Sequence, residues 1–164
     1  MPHLRVPVLI LAALALAMAA PPLSSSLAAA QRTTATNGVR TIELQGTDSL
    51  KFVPAAIQAK PGETIRVVLK TISKMPKMAM AHNFVLLTLE SNVDTFVNES
   101  MRSRATEYIA PKRKAEVLAY TGLAGQGETV EVTFTAPKAP GTYPFVCTFP
   151  GHYAGGMKGT LAVR

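Results

Sequence analysis

From about residue 41 onward the chain alternates apolar and polar side chains with a period of two. Ile42 and Leu44 fall on one face and Glu43 and Gln45 on the other. Ile65, Val67 and Leu69 alternate with Arg66, Val68 and Lys70, and Val130, Val132 and Phe134 with Glu131, Thr133 and Thr135. Successive side chains of a strand point to opposite faces, so this pattern predicts half-buried β-strands. Turn residues separate them: Lys60-Pro61-Gly62-Glu63 has Pro and Gly at the two central positions of a type II turn, and Gly125-Gln126-Gly127 and Pro140-Gly141 add further breaks. One stretch departs from the period. Val93, Phe96, Val97 and Met101 have helical spacing, with Ser91 or Asn92 as a cap, which predicts a short helix over 92–103. Many short strands and one helical insertion, without an internal repeat, indicate an all-β fold: a Greek-key β-sandwich of about eight strands.

The first thirty residues follow another pattern. One basic residue, Arg5, precedes an unbroken apolar run from Val6 to Ala20; Pro21-Pro22, three serines and Ala28-Ala29-Ala30 come next. That order is expected of a secretory signal peptide over residues 1–30, cleaved to leave Gln31 first. The alternative is an uncleaved anchor, but the run is short beside the roughly 20 residues of a span. Residues 31–40, rich in Thr, Ala and Asn, are expected to be a flexible lead-in, and residues 41–164 the folded domain, exported to the periplasm or beyond.

Charge and cysteine count sharpen the picture. Loss of Arg5 with the leader would lower the formal net charge of +7 by one, so the domain stays basic. Such a balance suits an acidic protein partner or a membrane surface. Nucleic acid is not expected for an exported chain without a long basic run, and Lys112-Arg113-Lys114 reads as a solvated loop. Cys147 is the only cysteine, so no internal disulfide is available, and an unpaired thiol in an oxidising compartment needs an occupation. Beyond the leader only His82 and His152 supply imidazoles.

The chemistry concentrates in Cys147-Thr148-Phe149-Pro150-Gly151-His152-Tyr153-Ala154-Gly155-Gly156-Met157. Tyr143, Phe145 and Cys147 share one face of the strand entering this loop; Met157, Leu161 and Val163 share one face of the strand leaving it. Cys147 and Met157 are thus expected to point inward at one end of the sandwich, with Pro150-Gly151 turning the chain to present His152. A lone loop histidine is usually solvated and a lone strand methionine is usually core. Two imidazoles, one thiolate and a distant thioether, however, are the donor set of a blue-copper centre. His82, Cys147, His152 and Met157 are therefore the expected metal ligands, with one copper as cofactor and no catalytic residues. A thiol hydrolase using Cys147 and His152 lacks a helix N-terminus to activate the sulfur, and a multicopper oxidase or nitrite reductase needs more histidines than the chain has. A copper-delivery protein remains an alternative, because Met75, Met78 and Met80 cluster before His82; their other reading is an apolar rim around the site.

Cys147 to His152, followed by Met157-Lys158-Gly159-Thr160-Leu161, resembles the ligand loop of the azurins and auracyanins. Met80-Ala81-His82-Asn83-Phe84 resembles their first-histidine segment, and Lys60 to Thr64 a turn common to the cupredoxins. The resemblance runs from about Thr41 to Arg164. It implies a cupredoxin sandwich that carries single electrons between redox proteins such as cytochromes or membrane complexes, outside the cytoplasm. It also implies that Met157 is the weak ligand, that Asn83 bonds to the loop near Thr148, and that Phe149 packs beside the site. The chain departs from azurin in lacking a disulfide, in a His152–Met157 spacing one residue longer, as in auracyanin, and in Ala81, where azurin has glycine. Ala81 is accordingly not counted as a ligand. A partner is expected to dock near His152, on Met75, Met78, Met80, Pro150, Tyr153 and Ala154, with Lys74, Lys77 and Lys158 as a positive rim.

Overall fold

Strands persist where an apolar face finds something to cover it, and here two sheets cover each other. The computed structural model describes residues 33–36 and 38–164; the leader expected over 1–30 lies outside the described residues. The strands are β1 (Thr33–Thr36), β2 (Val39–Thr47), β3 (Lys51–Val53), β4 (Ala56–Ala59), β5 (Thr64–Ile72), β6 (Val85–Leu87), β7 (Val117–Tyr120), β8 (Thr129–Thr135), β9 (Gly141–Val146) and β10 (Lys158–Val163). One sheet runs β1-β2-β5-β8 with β3 also paired to β2, and the other runs β4-β10-β9-β6-β7. Among the described residues only β2 with β5 and β10 with β4 pair in parallel. The β-sandwich is as expected, but with ten strands rather than about eight among the described residues. Residues 33–36 of the expected lead-in form β1, which folds back on β2 through Gly38 at φ +77°. The segment 51–59 is two strands because it changes sheets at Pro54, which has no N–H to continue a ladder.

Inward faces match the alternation. Ile42 and Leu44 of β2 and Ile65, Val67 and Leu69 of β5 are fully buried against Phe84, Leu86, Phe145 and Leu161 of the facing sheet. Phe145 packs its ring 5.1 Å from Phe84 and 5.3 Å from Phe52. Each such side chain contributes about 1.5–3 kcal/mol of burial free energy. The Lys60–Glu63 turn forms as expected, with Gly62 at φ +74° and the Glu63 N–H donating to the Lys60 carbonyl at 3.1 Å.

The uninterrupted apolar run Phe84–Leu87 has its explanation in a second, smaller core. Leu86 faces the sandwich interior, while Val85 and Leu87 face outward beneath helix α1 (Val93–Ser100) and meet Phe96, Val97, Ile109 and Val146. The helix is shorter than the 92–103 expected. Asn92 caps it, its Oδ1 accepting from the Thr95 N–H at 3.0 Å. Two 3₁₀ turns follow, Arg104–Thr106 and Pro111–Glu116. Lys112 and Lys114 are exposed there, whereas Arg113 is tied to Glu99 and Glu116 at 2.9 and 2.7 Å.

Candidate metal centre

The β9–β10 hairpin builds most of the site. Lys158 pairs with Val146, and the ladder extends one step further as the Cys147 N–H donates to the Met157 carbonyl at 3.1 Å. That bond closes the base of the loop and sets Cys147 and Met157 side by side, both wholly buried. Within the loop the His152 N–H donates to the Phe149 carbonyl at 3.1 Å and the Met157 N–H to the His152 carbonyl at 2.9 Å. Gly151, at φ +83°, allows the reversal. The chain therefore curls under itself, and His152 is only 4% exposed.

His82 reaches the same place from the other side of the sandwich end. Its backbone is fixed to Ala124 by two hydrogen bonds of 2.9 and 2.8 Å, and its ring is fully buried. His82 Nδ1 lies 3.1 Å from His152 Nδ1, and His152 Nδ1 lies 3.5 Å from Cys147 Sγ. One ligand atom from each of the three residues falls within 4.8 Å of the others.

Asn83 ties the two halves together. Its Oδ1 accepts the Thr148 N–H at 2.9 Å and its Nδ2 donates to Thr148 Oγ1 at 2.8 Å. Phe149 packs beside the site, its ring 4.7 Å from that of His152 and 5.4 Å from that of Tyr108.

Electrostatics suits a metal better than it suits the bare side chains. Burial pushes both imidazoles down to about 4, His152 further disfavoured by its neighbour His82, so both rings are neutral and keep lone pairs. Burial pushes the Cys147 thiol up to about 12, while amide hydrogen bonds from Asn83 and Phe149 pull the other way. Two neutral nitrogens facing each other at 3.1 Å beside a thiol that cannot easily ionise form a pocket for a soft cation. These residues fit copper.

The methionines of the ligand segments separate into two groups. Met157 is wholly buried with the three residues above, but Met75 and Met78 are exposed, Met78 to 85%, and Met80 is half-buried. Of the lysines expected as a free rim, Lys77 is paired with Glu128 at 2.7 Å and Lys158 stands over the Tyr153 ring at 5.0 Å. Sequence reasoning passed over Gly46. A Cβ there would lie 2.7 Å from His82 Cδ2 and 3.0 Å from Met157 Cε, so this glycine leaves the space that the ring and the thioether occupy. Its signal was present: it continues the inward series Ile42, Leu44, where a glycine marks a close approach.

A family model described as copper binding proteins, plastocyanin/azurin family, matches residues 40–164. Auracyanin-B of Chloroflexus aurantiacus is 34% identical over 126 residues, which are 76% of this chain and 52% of that one, so the chain spans about half of that relative's length. Azurin of Pseudomonas aeruginosa is 37% identical over 127 residues, covering 75% of this chain and 84% of the azurin. Among solved structures, auracyanin A, titled a "blue" copper protein from Chloroflexus aurantiacus, superposes with a TM-score of 0.68 at 35% identity, covering 77% of this chain and 100% of its own.

Proposed function

Because the chain belongs to the plastocyanin/azurin family of copper-binding proteins, we propose that it is an exported one-electron carrier whose single blue copper is held by His82, Cys147 and His152, with Met157 as a weak axial ligand. The observation that carries this reading is the convergence of His82 Nδ1, His152 Nδ1 and Cys147 Sγ within 4.8 Å in a buried pocket. When bound there, copper supplies a one-electron Cu(II)/Cu(I) couple.

The protein's part is to keep the donors still. Asn83 bonds to Thr148 from across the site, Ala124 holds the His82 backbone, and the bond between Cys147 and Met157 closes the loop. Phe149 and the buried faces of the sandwich exclude water. A donor set that cannot relax changes little between oxidation states, which lowers the reorganisation that electron transfer requires.

The leader-like residues 1–30 support export, and a cytochrome or membrane complex is the kind of partner expected. Such a partner would dock on the apolar residues beside the ligand segments in the sequence: the exposed Met75, Met78, Pro150 and Ala154 and the half-buried Met80.

The same exposed thioethers favour a second reading, delivery of Cu(I) to another protein. Voltammetry of the copper-loaded domain separates the two. The carrier reading expects a reversible one-electron couple, with copper retained through repeated cycles in the presence of a Cu(I) chelator. Rapid loss of the metal on reduction would favour delivery.

A further inference from the structure

A second face of the molecule connects to the site. Phe149, which packs against the His152 ring, also packs against the Tyr108 ring, edge-on at 70°. Tyr108 is half-buried, so a contiguous series of rings runs from the donor cluster toward the surface formed by residues 102–120.

The backbone that presents Tyr108 is unusual. Glu107 and Tyr108 both lie in the left-handed region, at φ +51° and +61°, where residues other than glycine are uncommon. Specific bonds hold them there. The Glu107 N–H donates to Arg104 and the Tyr108 N–H to Ser103, while Asn83, already engaged with the ligand loop, donates to the Glu107 carbonyl at 3.4 Å. Consecutive residues kept in such a conformation beside a site point to a function for what they position.

The surroundings of Tyr108 indicate a partner. A groove of about 420 Å³ is walled by its chain neighbours Glu107 and Ile109 together with Thr106, Pro111, Lys114 and Tyr120. Residues 102–114 carry five cations and one carboxylate, Glu107. Arg113 is neutralised by Glu99 and Glu116, but among the described residues Arg102, Arg104, Lys112 and Lys114 are exposed without an acidic partner. The groove also exposes apolar surface, with Lys114 Nζ 3.7 Å above the Tyr120 ring and Leu118 41% exposed on the same edge strand, β7.

Resting on the electron-carrier reading, we propose that this face is a second docking surface, for an acidic haem protein, with Tyr108 and Phe149 as the contact through which an electron reaches the site. Charge complementarity selects the occupant, and the ring series gives an electron carrier a reason to sit there rather than elsewhere on a basic molecule. One electron crosses from a ferrous haem, which becomes ferric, to the oxidised site. No bond forms or breaks, and no proton moves.

The test uses the copper-loaded protein with the soluble domain of cytochrome b5, an acidic haem protein, as probe. With both proteins reduced, amide chemical shifts should move over residues 104–120, and Lys112→Glu/Lys114→Glu should weaken binding by about tenfold at low ionic strength. In the mixed redox state Tyr108→Leu should slow electron transfer within the complex several-fold, measured at saturating cytochrome b5, and Tyr108→Phe should not. Shifts confined to residues 75–80 and 150–154, or charge reversal without effect on affinity, would overturn the proposal. So would phosphatidylserine vesicles moving the same amides where cytochrome b5 does not. Failure of the carrier reading would look different: no intense visible band and no reversible couple in these same samples.

Discussion

At the scale of single residues the site is an exercise in soft donors and close quarters. His82, Cys147 and His152 were legible in the sequence because each is nearly alone of its type, and the parity of two strands aimed Cys147 and Met157 at one place. What parity does not reveal is the volume these side chains need. Gly46 supplies that, and it carries no chemistry to draw attention. Gly46→Ala should therefore do more than a one-methyl change on a strand ordinarily does. Its Cβ would lie 2.7 Å from the His82 ring and 3.0 Å from the Met157 methyl, with the His82 backbone unable to retreat from Ala124. Overpacking of this kind costs about 1–3 kcal/mol. We expect lower denaturation stability together with altered electron paramagnetic resonance parameters of the copper-loaded protein. A variant unchanged in both would mean that the ring and thioether do not depend on this space.

At the scale of elements the alternation located β2, β5 and β8 and the helical spacing located α1, but two features escaped it. The segment 51–59 changes sheets at Pro54, a tertiary choice that a local pattern does not encode. Residues 33–36, part of the expected lead-in, pair as β1 along β2, which offers an edge to threonine-rich backbone. The loop from Cys147 to Met157 shows how elements are joined across the sandwich. Its position relative to His82 depends on Asn83, whose amide satisfies the buried Thr148 N–H and hydroxyl. Asn83→Ala would leave that N–H unsatisfied, at a cost of about 1–3 kcal/mol. Chemical denaturation of the metal-free protein should register the loss, and exchange of the bound metal with a chelator should accelerate. Wild-type exchange kinetics in Asn83→Ala would argue that the loop is held by its own hydrogen bonds alone.

At the scale of the whole molecule the donor pocket makes stability depend on pH and on the metal. In the metal-free protein His82 and His152 sit near 4, below the ordinary histidine value of about 6.5. As pH falls from about 6.5 to about 4 the unfolded chain therefore binds protons that the folded chain does not. The contribution of these two rings is present in full above that window and is lost across it, which should lower unfolding free energy by a few kcal/mol. On the alkaline side the Cys147 thiol, raised to about 12 from an ordinary 9.0, reverses the sign, and stability declines as pH climbs between those values. A thermal unfolding series of the metal-free domain that stayed flat from pH 6.5 to 4 would contradict the buried neutral imidazoles. The claim on which everything else rests is that Cys147 and the two histidines together hold one blue copper, and the visible absorption spectrum of the copper-loaded protein tests it most directly. Wild type should show an intense thiolate-to-copper band at one metal per chain, and Cys147→Ser, still folded by circular dichroism, should lose it. A band that survives in Cys147→Ser, or a loaded wild type without one, would contradict the account.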